Sequence, residues 1–472
     1  MNYKTKPFDH QRQYIDKYAD REYFGIFAEQ GLGKSKMILD NVTYLKEKGE
    51  IDSVMIVAPN GLHNNWYWNE IPAHLGCEHI SLSWQANHTK KWLGGWGCFM
   101  GEDIHPKFIK IFCINVEALR TINGYKYAQE FIKKNEATMF VLDESTCIKN
   151  PTAKQTKAVT KLAHQCKYKR ILTGTPITQG PLDIFSQSRC LSRTALPYTS
   201  FTAFKAKFAI EETNYAQGRS YRKVTGYRNL EELTVLMGEY SVRILKKDCL
   251  DLPDKMYQKI MIEMKPDQRK LYDQMKDDCL LLLEDNLVSV TNVLTKIIKL
   301  QQICCGFVSD DNGDVLQVND GKIVVLMQTL EAIEGKVVIF CSFKHNVKRI
   351  MEEIKKTYGP NSVVDYTGDT KDRIGNTKLF QESKVVKYMV ATSAAEKGVT
   401  LHASSTMIYF SNNYKLESRL QSEDRIHRIG QGETCNYIDL VMKDTIDEAV
   451  LKALTDKNDI SKMVLDDLRK II

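Results

Sequence analysis

The chain has 472 residues, too many for one ordinary core, so two or three domains are expected. A composition of 43% hydrophobic and 26% charged residues is that of a soluble globular protein, and no apolar run approaches the roughly 20 residues of a membrane helix. The net charge of +7 permits a polyanionic partner without demanding one, and the Met1 to Lys6 start leads into no signal core, so a cytoplasmic rather than exported protein is expected. The 12 cysteines have no regular spacing and form no Cys-x-x-Cys pair, which argues against a zinc cluster or a disulfide framework and suits reduced thiols.

In chain order, Asp9, Gln11, Ile15 and Tyr18 begin an amphipathic helical pattern. A glutamine just ahead of a phosphate loop can read adenine, because its amide both donates and accepts; position alone suits a surface glutamine equally. Phe24 to Ala28 then reads as a buried strand, Glu29 to Gly33 as a glycine-containing loop, and Met37, Ile38, Val42 and Leu45 as a helix. That order is what a phosphate-binding loop requires. Gly31 and Gly33, with Leu32 between them, let backbone N–H groups turn toward phosphate oxygens. Lys34 is suited to the β- and γ-phosphates and Ser35 to Mg²⁺. Ala28 stands where the first glycine of the usual pattern falls.

Ser53 to Ala58 is a second buried strand, ended by Pro59, and a polar loop from Asn60 opens a helix toward Trp66. Ile111 to Arg120 is a strand and turn. Met139 to Glu144 is an apolar strand that ends in two carboxylates. An isolated Asp-Glu after a strand is an ordinary solvated turn. Paired with Gly-Lys-Ser, Asp143 is expected to hold Mg²⁺ and Glu144 to take a proton from the attacking water. Ile171 to Ile177 ends a strand in Thr173-Gly174-Thr175-Pro176, small residues able to lie near a γ-phosphate and move on hydrolysis.

From about 181 to 320 helical patterning dominates. Within it, Arg219, Arg222, Lys223 and Arg228 interleave with Tyr215, Tyr221 and Tyr227, a composition equally suited to a phosphate backbone contact and to a solvated hairpin. Strand signals return at Gly335 to Cys341, Val363 to Gly368, Tyr388 to Thr392, Thr406 to Phe410 and Tyr437 to Val441, with a helix from Thr445. The fold class expected is α/β, two doubly wound parallel sheets with mainly helical insertions between them, divided at 1–195, 196–320 and 321–472. Between the last strands, Arg425 and Arg428 are three apart, so on a helix they would share a face and could clamp a phosphate together.

These stretches, in this order, resemble the Swi/Snf-type DNA translocases of the helicase-like superfamily-two ATPases, and the resemblance spans nearly the whole chain. Gly31 to Ser35 is similar to their motif I, Val54 to Trp66 to motif Ia, and Asn115 to Arg120 to motif Ib. Asp143-Glu144-Ser145-Thr146 resembles the Asp-Glu-x-His box, with Thr146 in place of histidine. Leu172 to Ile177 is similar to motif III. Arg243 to Lys255 and Lys299 to Cys304 resemble the family's passages around its helical insertions. Gln421 to Gln431 is similar to motif VI and is the most specific match. Ala395-Glu396-Lys397-Gly398 departs from the usual motif V except at Gly398.

The resemblance implies two RecA-like lobes that use ATP and Mg²⁺. It implies nucleotide contacts from Gln11, the 31–35 loop, Gly398, Gln421, Arg425 and Arg428, with hydrolysis by Lys34, Asp143, Glu144 and the two arginines. Duplex DNA is the implied partner, with backbone contacts expected from Asn60, Asn65, Thr175, Arg222, Lys223, Ser342, Lys344 and Thr392. The implied activity is ATP-driven movement along double-stranded DNA by a monomeric motor, remodelling protein–DNA complexes or branched DNA, with targeting by protein partners. A strand-separating DNA or RNA helicase is the alternative among enzymes, and a hydrolysis-deficient DNA-binding scaffold the alternative among binding proteins.

Overall fold

The computed structural model describes residues 3–101, 104–216, 219–284, 290–309, 314–319, 321–396, 399–428 and 430–466. It divides into two units. One comprises the chain to Glu212 together with Val224–Leu250; the other comprises Thr213–Lys223 and Asp251–Asn458.

The first unit is built on β1 (Tyr23–Ala28), β2 (Ser53–Ala58), β3 (His79–Ser83), β4 (Ile109–Asn115), β5 (Thr138–Asp143) and β6 (Lys169–Leu172). After these, β7 (Ala209–Ala216) and β8 (Arg219–Tyr227) form a separate two-stranded sheet, and β9 (Ser241–Ile244) returns to the main one. The order is β3-β4-β2-β5-β6-β1-β9, and every neighbouring pair is parallel. Parallel neighbours need crossovers, and helices on both faces supply them, so the strands are apolar on both sides. The alternation of a strand's side chains sorts them into two cores. Phe27, Met55, Val57, Phe140 and Leu142 join one cluster, and Ile26, Val54, Ile56, Met139 and Val141 join the other.

In the second unit a short antiparallel pair, β11 (Phe307–Ser309) and β12 (Val315–Gln317), stands apart from a six-stranded parallel sheet. That sheet contains β10 (Lys255–Ile262), β13 (Val337–Phe340), β14 (Val363–Tyr366), β15 (Tyr388–Ala391), β16 (Thr406–Tyr409) and β17 (Cys435–Met442), in the order β10-β17-β16-β13-β15-β14. Val337 and Ile339 face one core while Val338 and Phe340 face the other.

The expected α/β architecture is present, but the chain divides differently from the three-part expectation. The helices of the middle region exist, including Phe201–Phe208, Leu230–Gly238, Pro266–Glu284 and Val290–Cys304. Between them, however, β9 completes the first sheet and β10 pairs along its whole length with β17 of the second. The reason β10 escapes the sequence pattern is its place at an edge: Met256 and Tyr257 are exposed, so it carries no continuous buried run. Among the described residues no helix is long and apolar enough to cross a membrane.

Candidate nucleotide site

In the first unit the candidate residues gather because β5, β6 and β1 are neighbours. Each ends at the same edge of the sheet, where β1 leads into the phosphate loop, β5 into Asp143 and Glu144, and β6 into Thr173. Open parallel sheets place ligands outside their carboxyl ends for this reason.

The loop is shaped by Gly31 and Gly33, with φ of 87° and 73°. The positive φ of Gly33 favours glycine, and a Cβ there would lie 2.3 Å from the Gln11 amide nitrogen and displace that side chain. Gly33 caps the helix Lys34–Glu47, and Ser35 lies in its first turn. The Lys34 ammonium donates to the carbonyls of Ala28 (2.9 Å) and Glu29 (3.4 Å), across the mouth of the loop. Gln11 is buried. Its Oε1 accepts from the Phe8 N–H at 3.0 Å and its Nε2 donates to the Leu32 carbonyl at 3.1 Å. The amide expected to read adenine therefore also ties the first helix to the loop.

Asp143 has both carboxylate oxygens held: Oδ1 accepts from the Glu144 N–H and Oδ2 from the Trp66 indole, each at 2.9 Å. Burial, then the charge of Glu144, pushes the Asp143 pKa up to about 6. Glu144 is buried and adopts a left-handed backbone, φ 49° and ψ 60°. For a non-glycine residue this costs of order 1–3 kcal/mol, and such strain gathers at functional sites. The turn aims its carboxylate back over the sheet, where Oε1 accepts from Gln30 Nε2 (3.4 Å) and Oε2 from the Thr173 hydroxyl (3.3 Å). Thr146, in the histidine position, is buried. Thr175 donates its N–H to Thr173 Oγ1 at 3.2 Å.

Two crowded carboxylates beside a lysine-bearing loop fit a hard divalent cation that takes its remaining ligands from water and substrate phosphates. The described residues hold no group of three or more His, Cys, Asp or Glu that could hold a metal ion.

Four residues whose individual partners the sequence did not reveal complete the site of the first unit. Trp66 and Thr173 hold the two carboxylates. Glu29 accepts the Lys246 N–H at 2.7 Å, and Arg243 donates to the carbonyls of Phe27 (3.0 Å) and Gly174 (2.7 Å). Their partners lie far off in sequence, where no local pattern points to them.

The second unit carries the arginine string. The helix Leu416–Glu423 ends before Arg425, so the two arginines do not share a helical face as their spacing suggested. A turn brings them together instead. Both guanidinium groups donate to the Val399 carbonyl, Arg425 at 3.3 Å and Arg428 at 3.4 Å, and Arg428 also reaches the Thr400 hydroxyl at 2.7 Å. Arg425 Nε donates to the Gln421 carbonyl at 2.9 Å, and the Gln421 side chain, buried, bonds Glu417 at 3.1 Å. Burial lowers the Arg428 pKa from the usual guanidinium value, with Asp424 opposing. Gly398 lies outside the described residues.

A buried ionic brace underlies this turn. Arg419 donates to Glu423 (2.8 Å) and to both oxygens of Asp439 (2.6 and 3.0 Å), with its guanidinium 3.6 Å from the centre of the Tyr409 ring. Glu423 also meets the Lys255 ammonium at 3.2 Å and the Tyr257 hydroxyl at 2.7 Å. Burial would raise the Glu423 pKa, but the charges of Lys255 and Arg419 outweigh it and hold that carboxyl below its ordinary range.

The residues expected to touch a nucleic acid are spread over both units. Asn60 is exposed, while Asn65 bonds Glu70 at 3.1 Å. Arg222 and Lys223 are exposed on β8. Ser342 Oγ donates to the Ser411 carbonyl at 3.3 Å, Lys344 pairs with Asp369 at 2.7 Å on the surface, and Thr392 is largely buried.

The pattern of the SNF2-related domain matches residues 13–307, more than half of the chain, and that of the helicase conserved C-terminal domain matches residues 321–430. Among curated relatives, an uncharacterized ATP-dependent helicase of Mycoplasma genitalium is 26% identical over 461 residues, covering 96% of this chain and 41% of the relative. The chromatin structure-remodeling complex subunit snf21 of Schizosaccharomyces pombe is 25% identical, covering 93% and 37%. The putative ATP-dependent helicase/translocase YwqA of Bacillus subtilis is 22% identical, covering 93% and 46%. The chain thus spans less than half the length of these relatives. The solved SWI2/SNF2 ATPase core of Sulfolobus solfataricus in complex with dsDNA aligns with 100% of this chain at 22% identity and a TM-score of 0.44.

Proposed function

From its membership of the SNF2-related family, to which this chain belongs, we infer an ATP-dependent motor that moves along double-stranded DNA and remodels protein–DNA complexes or branched DNA. The single observation that carries the hydrolytic part is the convergence of the Lys34 loop, Thr173 and the Asp143–Glu144 pair at the ends of three adjacent parallel strands, β1, β6 and β5. Relatives named as helicases, translocases and remodelling subunits support the motor part.

In this reading Gly31 to Gly33 cradle the phosphates with backbone N–H groups, and Lys34 exchanges its loop carbonyls for β- and γ-phosphate oxygens. Ser35 and Asp143 would hold Mg²⁺, which would supply positive charge against the phosphate oxygens of bound ATP. Glu144, oriented by Gln30 and Thr173, accepts the proton of the attacking water. Loss of that bonding releases Thr173, and Arg243 carries the change to the Gly174 backbone. Arg425 and Arg428 supply positive charge to the transferring phosphoryl group. A short conformational cycle of this kind drives stepwise movement along phosphates.

The test is turnover by the purified chain alone and with duplex DNA, single-stranded DNA, forked DNA and RNA. Stimulation by duplex DNA without strand separation supports the motor. Stimulation only by single strands or RNA overturns it in favour of a strand-separating helicase. Glu144→Gln is expected to lower turnover by about a hundredfold or more while ATP binding persists. Near-normal turnover in that variant overturns the assignment of the base.

A further inference from the structure

Asn60 and Asn65, expected to meet a nucleic acid backbone, lie in the same short segment as a residue that reaches the hydrolytic centre. Trp66 is 1% exposed, and its indole N–H donates to Asp143 Oδ2 at 2.9 Å. Two residues on, Trp68 is 70% exposed. The two rings are carried by a π-helical turn, Trp66–Glu70, in which the Ile71 N–H bonds the Trp66 carbonyl. A turn of this kind is rare overall and frequent at functional sites. Asn65 is fixed across the turn, donating to Glu70 at 3.1 Å and accepting from Asn69 at 2.8 Å.

We propose that Trp66 is a positioning residue that links the exposed face of this turn to the orientation of the Asp143 carboxylate, so that a duplex DNA backbone seated on the turn is registered at the hydrolytic centre. The inference rests on the function proposed above. The indole can only donate, so its partner oxygen must offer a lone pair. With Glu144 N–H holding Oδ1 and Trp66 holding Oδ2, the carboxylate cannot rotate about its bond to Cβ without losing one of them. A shift of the turn moves Trp66 and, through it, Oδ2.

The variant that isolates the link is Trp66→Phe, which keeps an apolar ring in the core and deletes the donor. Binding of Mn²⁺ to the full chain with ADP, followed by electron paramagnetic resonance, reads the carboxylate without any turnover. Mn²⁺ affinity is expected to fall about fivefold, duplex DNA affinity to stay within about twofold, and the ratio of DNA-stimulated to basal turnover to fall about tenfold. Unchanged Mn²⁺ affinity together with an unchanged ratio overturns the link. A second measurement does not depend on the variant being well folded. In the otherwise unaltered chain labelled with 5-fluorotryptophan, the Trp66 fluorine resonance is expected to move when duplex DNA is added without nucleotide. A resonance that stays in place while DNA binds overturns the relay. If duplex DNA neither binds nor stimulates the unaltered protein, the proposed function fails, and Mn²⁺ binding still decides whether Trp66 positions Asp143.

Discussion

Replacing Arg419 with methionine tests the ionic brace beneath the arginine turn. Methionine keeps much of the side-chain length and removes the charge. The loss would leave Asp439, almost fully buried, with its bond from Asn412 at 2.7 Å, and Glu423 with Lys255 and Tyr257. Breaking one partner of a buried pair costs about 3–5 kcal/mol, because the remaining charge is left in a poor solvent. The surviving partners favour the lower half of that range, and loss of the guanidinium from the Tyr409 face adds about 0.5–2 kcal/mol. A net cost of about 3.5–6 kcal/mol follows, which at ~2–4 °C per kcal/mol lowers the melting point of a unit this size by roughly 7–24 °C. The assay exploits composition. All 5 tryptophans, at 66, 68, 84, 92 and 96, lie in the first unit. Tryptophan fluorescence therefore follows the first unit, while far-ultraviolet circular dichroism follows both. The circular dichroism transition assigned to the second unit should move to lower temperature, and the fluorescence transition should stay. Arg419→Lys, which keeps the charge but not the planar fork, should fall between. A shift below about 1 kcal/mol, or an equal shift in fluorescence, would refute the reasoning.

Gly33→Ala should weaken binding of a fluorescent ATP analogue by about tenfold or more, since φ and the Gln11 contact both oppose a side chain there; binding within twofold of normal contradicts it. Glu423 has a depressed pKa in the fold, so its stabilising contribution is present above its unfolded value and is lost as pH falls through the folded one. The stability difference between the unaltered chain and Glu423→Gln, followed by circular dichroism, should therefore shrink as pH falls below the ordinary carboxylate range; a constant difference argues against it. Reversing both Arg222 and Lys223 to glutamate should weaken duplex binding and flatten its log–log salt dependence by about two. An unchanged slope would return β8 to the role of a solvated hairpin.

How much of the site was legible depends on how far apart its parts lie. Gly31, Gly33, Lys34 and Ser35 are neighbours in the chain, and their chemistry is read from one short loop. Asp143 and Glu144 are legible only through their place after an apolar strand. The left-handed turn at Glu144 leaves no trace in composition, and its Thr173 and Gln30 partners come from two other strands. The arginine pair illustrates a different gap. Its spacing suits a helix, but the helix ends at Glu423, and a turn produces the convergence that the helix was expected to give. Edge strands were missed for a third reason. β3, β9 and β10 are short or half exposed, so their hydrophobic pattern is weak, and pairing with a neighbour rather than intrinsic preference makes them strands.

By itself the sequence determined what is local: the glycine conformations of the phosphate loop, the alternation that gives each buried strand two faces, and the order of the motor motifs. Tertiary structure alone decided which strand ends are adjacent. The order β5, β6, β1 brings Asp143, Thr173 and the Lys34 loop to one edge, although long stretches of chain separate them. It also brought Trp66 to Asp143 and Arg419 to Asp439. The physical reason is that backbone preferences act over a few residues, whereas partnerships between side chains are set by the register and order of the sheets that carry them.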